Sequence, residues 1–195
     1  MARETSVVTP QKFSEGFSYT NYMDQIKVNK DRFRGFYNDY PLKPEDAAFF
    51  KELVGRPNGP AKMLVLGEGW CGDVVRGLGV LARIAEAGGM EMSIFPRDQH
   101  MNIMNEFLKN GQWASIPCAV FYTKDHEYIC HWIERPAVAE REMEEIEEAI
   151  RGENPQITDQ EFSRERRTRT AARAGDWIEA TVVELKDLLA SSITS

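Results

Sequence analysis

The sequence predicts an α/β fold: a mixed four-stranded sheet with helices on both faces and extra helices at the N- and C-terminal ends. Three observations carry this. An apolar run, Met63 to Leu66, stops at Gly67 and gives way to a helical pattern, and a second run, Met90 to Phe95, follows that helix. Two further runs, Cys118–Tyr122 and Glu127–Ile133, are separated only by Thr123 to His126. A strand, a crossover helix and a second strand favour parallel pairing, whereas two runs joined by a tight turn form an antiparallel hairpin. Residues 61–150 then run β-α-β-α-β-β-α.

Each element has its own local signal. Residues 1–18 lack periodicity and read as a loose arm with Phe13 and Phe17 as anchors. From Thr20 to Tyr40, Tyr22, Met23, Ile26, Phe33, Phe36 and Tyr37 recur at helical spacing, weakened by Asn29 and Gly35, so either one bent helix or two is expected. Pro44 with Glu45 and Asp46 starts a short helix, because proline tolerates the first turn and acids suit its dipole. Arg56 to Pro60 is a loop. The helix after Gly67 runs through Val75, Leu78, Leu81 and Ile84 and stops at Gly88-Gly89. Met101, Met104, Phe107 and Leu108 mark a further helix ending by Gly111.

Pro136 opens a helix through Val138, Met143, Ile146 and Ile150, with six glutamates between Glu140 and Glu148 on its other face. That acid run reads as a solvated face. After a linker at 152–159, a last helical stretch covers Phe162–Ala190. It opens with Arg164, Arg166, Arg167, Arg169 and Arg173, read as a solvated helix start or as partners of the acidic helix. Arginine at a helix N-terminus opposes the dipole, which favours partners. The stripe Trp177, Ile178, Val182, Leu185, Leu188 and Leu189 reads as docking surface on this chain, and it could instead serve a homodimer. Residues 1–59 are expected as an arm with helices packed on the core, 60–151 as the core, and 152–195 as linker and C-terminal amphipathic helix.

Composition bounds the function. With 195 residues, 42% apolar and 28% charged, the chain can bury a core. A formal charge of −7 and a pI near 5.1 argue against general binding to nucleic acid or anionic membranes. Three scattered cysteines do not make a secreted disulfide scaffold. No stretch has the apolar length of a signal peptide or a membrane span. A soluble cytoplasmic protein is the expectation.

Cys71 is the candidate for chemistry. It falls at the first turn of the helix after Gly67, where unpaired backbone N–H groups and the helix dipole favour a thiolate. Metal and cofactor sites are not expected. Cys130 and His131 are adjacent on a strand and point to opposite faces, and His100 and His126 have no partner spacing. Gly67, Gly69, Gly72, Gly77 and Gly79 do not follow a phosphate-binding spacing, and close packing of helix on sheet accounts for the last two.

Trp70-Cys71-Gly72 after a strand, with Ile116-Pro117 opening a later one, resembles the thioredoxin superfamily over about residues 60–150. The phrases 68–73, 94–98 and 115–117 are similar to a bacterial group of thioredoxin-family proteins with Trp-Cys-Gly-Asp. The resemblance implies a thioredoxin-like fold, a nucleophilic Cys71 and a cis proline at 117. Trp70, Gly72, Asp73, Ile116 and Pro117 would form the surface for protein or low-molecular-weight thiol substrates, with no cofactor. The chain departs from the dithiol pattern. Val74 stands where the resolving cysteine belongs, and Val65 near the place of the buried helper acid. Three readings follow: a monothiol nucleophile resolved by a small thiol, a pair with Cys118, or a binding module without redox chemistry. The same strand alternation could aim Cys118 into the core. Asp73 could raise the Cys71 pKa by charge repulsion or cap the helix start.

Overall fold

The computed structural model describes residues 6–193; the first five residues of the expected arm lie outside them. The sheet has the order β2-β1-β3-β4. Strand β1 (Lys62–Gly67) pairs parallel with β2 (Glu91–Pro96) and antiparallel with β3 (Cys118–Tyr122), and β3 forms a hairpin with β4 (Tyr128–Ile133). This is the mixed sheet that the sequence predicts.

The two faces of the sheet are distinct. A Cβ on Gly67 would meet Val74 of helix α5 (Gly72–Gly88), so Gly67, and with it Val65 and Met63, faces α5. Lys62, Leu64 and Leu66 alternate to the other face. There the Lys62 ammonium lies 5.9 Å from the ring of Phe13, on α1 (Pro10–Ser14). Cys118, Val120 and Tyr122 pair directly with Leu66, Leu64 and Lys62 and share that second face. Phe13 packs edge-on against Tyr122, and Phe107 stacks on Tyr128 beside it. In β4, Cys130 and His131 point to opposite faces: Cys130 pairs with Phe121 on the α5 face, and His131 meets Phe107 on the other.

The N-terminal segment is more ordered than its sequence suggests. Thr9 caps α1, Phe13 is buried, and Phe17 pairs with Ile94 across the free edge of β2. The next stretch is two helices, α2 (Tyr19–Gln25) and α3 (Lys30–Asp39), broken where Asn29 takes a left-handed φ of 59°. Helix α4 (Pro44–Val54) carries proline in its first turn as expected. Helix α5 ends at Gly89, whose φ of 74° terminates it without a Cβ penalty. Helix α3 lies directly on α5 at Gly79, where a Cβ would come within 3.0 to 3.2 Å of backbone atoms of Tyr37 and Phe36.

Two helices differ from expectation. Only Met101–Met104 (α6) is α-helical in the connection from β2 to β3. Phe107 and Leu108 sit in turns leading to an isolated bridge between Lys109 and Trp113. Their burial comes from packing under β3 and β4, not from a helix stripe. Downstream of α7 (Ala137–Glu153), the last stretch is two helices, α8 (Asp159–Ala172) and α9 (Ala174–Ser192), breaking at Arg173.

Helix α8 opens earlier than the arginines. A capping box of Thr158 and Glu161 starts it, so the basic residues lie within the helix and the dipole argument against them lapses. They pair with α7: Arg166 with Glu147 at 2.7 Å, Arg169 with Glu153, and Arg173 with Glu142 at 2.9 Å. The acid run is therefore partly a partnered face. The apolar stripe of α9 packs within the chain, against α4, α5 and β4, with Leu188 half-buried and the rest buried.

Candidate functional site

The turn after β1 is held from two sides. Asn29 donates to the Gly69 carbonyl at 2.9 Å, a use of the left-handed break between α2 and α3. The backbone N–H of Asp98 donates to the Glu68 carboxylate at 2.9 Å. Trp70 at the tip is 56% exposed. Arg97 lies 5.2 Å over its ring and also donates to the Ala114 carbonyl at 2.9 Å, joining the Trp70 turn to the segment before Pro117. A groove of about 200 Å³ runs beside Trp70, lined by Tyr22, Ile26, Val28, Glu68 and Pro96.

Cys71 is the N-cap of α5. Its thiol is half-buried and donates to the Ile116 carbonyl at 3.6 Å, a contact long enough to be weak even for sulfur. The Ile116–Pro117 peptide is cis. Pro117 packs on α5 at Gly77, where an added Cβ would sit 3.3 Å from Pro117 Cγ, and its carbonyl accepts from Glu134 N–H at 2.6 Å. Beside Gly72 there is open space. The structure thus brings Trp70, Cys71, Gly72, Ile116 and Pro117 together.

Asp73 does something else. It occupies the second helical position, and Cys71 is the cap. Its carboxylate accepts from Arg76 at 3.2 Å and from Arg135 at 2.7 Å. Asp73 is thus a bridge from α5 to the segment after β4, and the expected capping role gives way to it. Arg76 also stacks 4.8 Å from the ring of Trp177.

A family model described as thioredoxin matches residues 16–158, nearly three quarters of the chain. The chain belongs to the thioredoxin family. The match begins at Gly16, so it takes in α2, α3 and α4 as well as the sheet. Two solved structures share the fold of this thioredoxin-family chain, each with a TM-score of 0.67. One is a protein of unknown function from Pseudomonas aeruginosa, 16% identical, aligned over 96% of this chain and 100% of its own. The other is an HIV epitope scaffold, 14% identical, aligned over 97% and 100%. No curated protein matches the sequence.

Within this thioredoxin-family site the sequence readings sort as follows. Val74 is fully buried against Gly67, so an apolar core residue fills the place of a second thiol. Val65 is likewise buried. Cys118 is not brought to Cys71. It is free, fully buried, and lies on the sheet face turned away from α5, with burial pushing its thiol far up. Alternation allowed two orientations, and pairing with Leu66 selects the core one. Arg97 and Arg135 were missed. Arg97 stands next to Pro96 at the end of β2, whereas nothing local marks Arg135, 62 residues from Asp73. The Asp73–Arg76 pair was legible as an i,i+3 spacing.

The acidity of Cys71 also departs from the helix-start expectation. Burial raises its thiol above the ordinary value, and the Asp73 charge adds to this. The N–H groups of Val74 and Asp73 and the Arg135 charge pull the other way, and burial wins. Hydrogen bonding as a donor to Ile116 favours the thiol form as well. Alkylation of native Cys71 is therefore expected to be slow at pH 7 and to keep rising beyond pH 9, where a free thiol of pKa about 8.5 is already levelling off. A rate against pH followed by peptide mapping checks this; a plateau below pH 8 would contradict it.

Proposed function

We propose that this protein exchanges disulfides through the single thiol of Cys71. The observation that carries the reading is the placement of a partly exposed Sγ at the start of α5, against the Ile116 carbonyl and the Pro117 loop. The chain's likeness to the bacterial Trp-Cys-Gly-Asp group supports the same site. Trp70, Gly72, Ile116 and Pro117 form the surface on which a substrate segment would lie, with residues 60–151 as the working core and 1–59 and 152–195 attached to it.

In the first step Cys71 gives its proton to solvent and its sulfur attacks one sulfur of a substrate disulfide. The substrate S–S bond breaks, a mixed disulfide with Cys71 forms, and the other half leaves as a thiolate that takes up a proton. With Val74 at the resolving position and Cys118 on the far face, release falls to a second, small thiol. It attacks the mixed disulfide and returns Cys71 to the reduced state. A reducing cytoplasm suits this cycle and the three free thiols. Among the described residues no helix is long and apolar enough to cross a membrane.

The test is incubation with oxidised glutathione or hydroxyethyl disulfide at pH 8.5 to 9. Intact mass should show one adduct, mapped to Cys71 and released by a small thiol. Cys71→Ser should form none while its thermal midpoint stays within a degree or two, because the residue makes one weak polar contact. No adduct on the wild-type protein from either disulfide overturns the reading. The protonated, donor-bonded thiol favours one alternative, a binding module that uses the same loop without exchange. Retained binding of extended peptides by Cys71→Ser, with no exchange by wild type, would establish it.

A further inference from the structure

One string of charges beside Cys71 is paired within itself. Arg76 and Arg135 share the Asp73 carboxylate. Arg135 also meets Glu134, which Lys109 draws on at 2.9 Å, and Lys109 in turn pairs with Glu140. Along this string three cations meet three anions. Outside this string stand Lys27, which lines the groove beside Trp70, Lys30, which donates to the Asp24 backbone carbonyl, and Arg32. Arg32 is exposed on α3 and has no acidic partner among the described residues.

Its position follows from the packing of α3 on α5. Asn29, at the start of α3, bonds Gly69, two residues before Cys71. Further along, the backbone at Phe36 and Tyr37 rests on Gly79. The two helices therefore run side by side in the same direction, and Arg32 lies beside the first turns of α5. Its charge is felt by Arg76, and Arg76 in turn interacts with Cys71. On the opposite flank of the turn stand Glu68, Asp98 and Arg97. The α3 side is the cationic one.

We infer that the small thiol exchanging with Cys71 is an anion carrying carboxylates, and that Arg32 selects it. The inference rests on the exchange reading above and deepens it. The surplus guanidinium attracts an anionic disulfide as its sulfur approaches Cys71, and the same attraction holds the anionic thiol that resolves the mixed disulfide. The electron balance of both steps is unchanged.

The experiment compares rates of Cys71 adduct formation with three disulfides at pH 8.5 and low ionic strength. These are oxidised glutathione (anionic), hydroxyethyl disulfide (neutral) and cystamine (cationic). The glutathione-to-hydroxyethyl ratio should fall about threefold in Arg32→Ala and about tenfold in Arg32→Glu, and the cystamine ratio should move the opposite way. Arg32→Lys, which keeps the charge, should restore the wild-type ratio, and 0.5 M salt should flatten all the differences. Ratios that do not change in either charge-removing variant overturn the inference and leave exchange intact. Failure of all three disulfides on the wild-type protein removes the exchange reading, and this inference with it.

Discussion

Replacing Asp73 with asparagine is expected to destabilise the protein and, at the same time, to make Cys71 more acidic. The carboxylate is 15% exposed, and its partners Arg76 and Arg135 are 15% and 18% exposed. Removing it leaves two guanidiniums close together in a half-dry setting with one fewer anion between them. Breaking a fully buried pair costs about 3–5 kcal/mol, and the remaining exposure here brings the expectation to about 2–4 kcal/mol. The thiol moves the other way, because Asp73 is one of the charges that hold its pKa up. Without it, the helix-start N–H groups and Arg135 act against burial alone, and the midpoint of alkylation against pH shifts down.

A contrast variant separates charge from simple loosening. Arg135→Met also breaks the bridge and should cost a similar amount of stability. It removes a charge that lowers the Cys71 pKa, so the alkylation midpoint should rise. Denaturant unfolding together with alkylation profiles reads both quantities. If the two variants shift the midpoint in the same direction, the bridge does not govern the thiol.

Trp177→Ala is expected to cost about 3–5 kcal/mol, the range for a large buried aromatic truncated to alanine. Trp177 is 2% exposed and forms a small cluster with Ala139 and Met143 of α7, with Val138 and Ile146 packed against it. Its indole N–H donates to Glu142 at 2.7 Å, and Glu142 also binds Arg173 at the α8–α9 break. Its ring carries the Arg76 guanidinium. The residue therefore joins α9, α7 and the first turns of α5. Trp177→Phe keeps most of the volume and loses the hydrogen bond, so it should cost about 1 kcal/mol. Equal losses from the two variants in denaturant unfolding would mean that packing around the ring contributes little.

The scaffold was readable because its signals are short-range. Met63–Leu66 ending at Gly67, the Gly88-Gly89 stop and the hairpin turn at 123–126 each depend on a few neighbouring residues, and strand–helix–strand order sets the pairing. The helix breaks were harder. A left-handed Asn29 is stabilised by a carbonyl 40 residues away, and the α8–α9 break at Arg173 coincides with a bond to Glu142, 31 residues earlier. The arginines show the same limit: a helix-start reading failed because the cap at Thr158 lies before the segment that periodicity marked.

The site divides along that line. By itself the sequence determined which thiol stands at the head of α5, that Trp70 and Gly72 flank it, that Val74 is not a second thiol, and that a proline opens the neighbouring strand. Those facts are residue identities set on elements that local pattern reveals. Only the tertiary structure decided that Cys118 faces away, that Asp73 is held by Arg76 and Arg135, that Arg32 is left without an acid, and that Cys71 is a weak acid. The physical reason is common to all four. Face selection needs a paired strand, ion pairs form between distant residues, and the cost of charging a thiol is set by how much water the folded chain leaves around it.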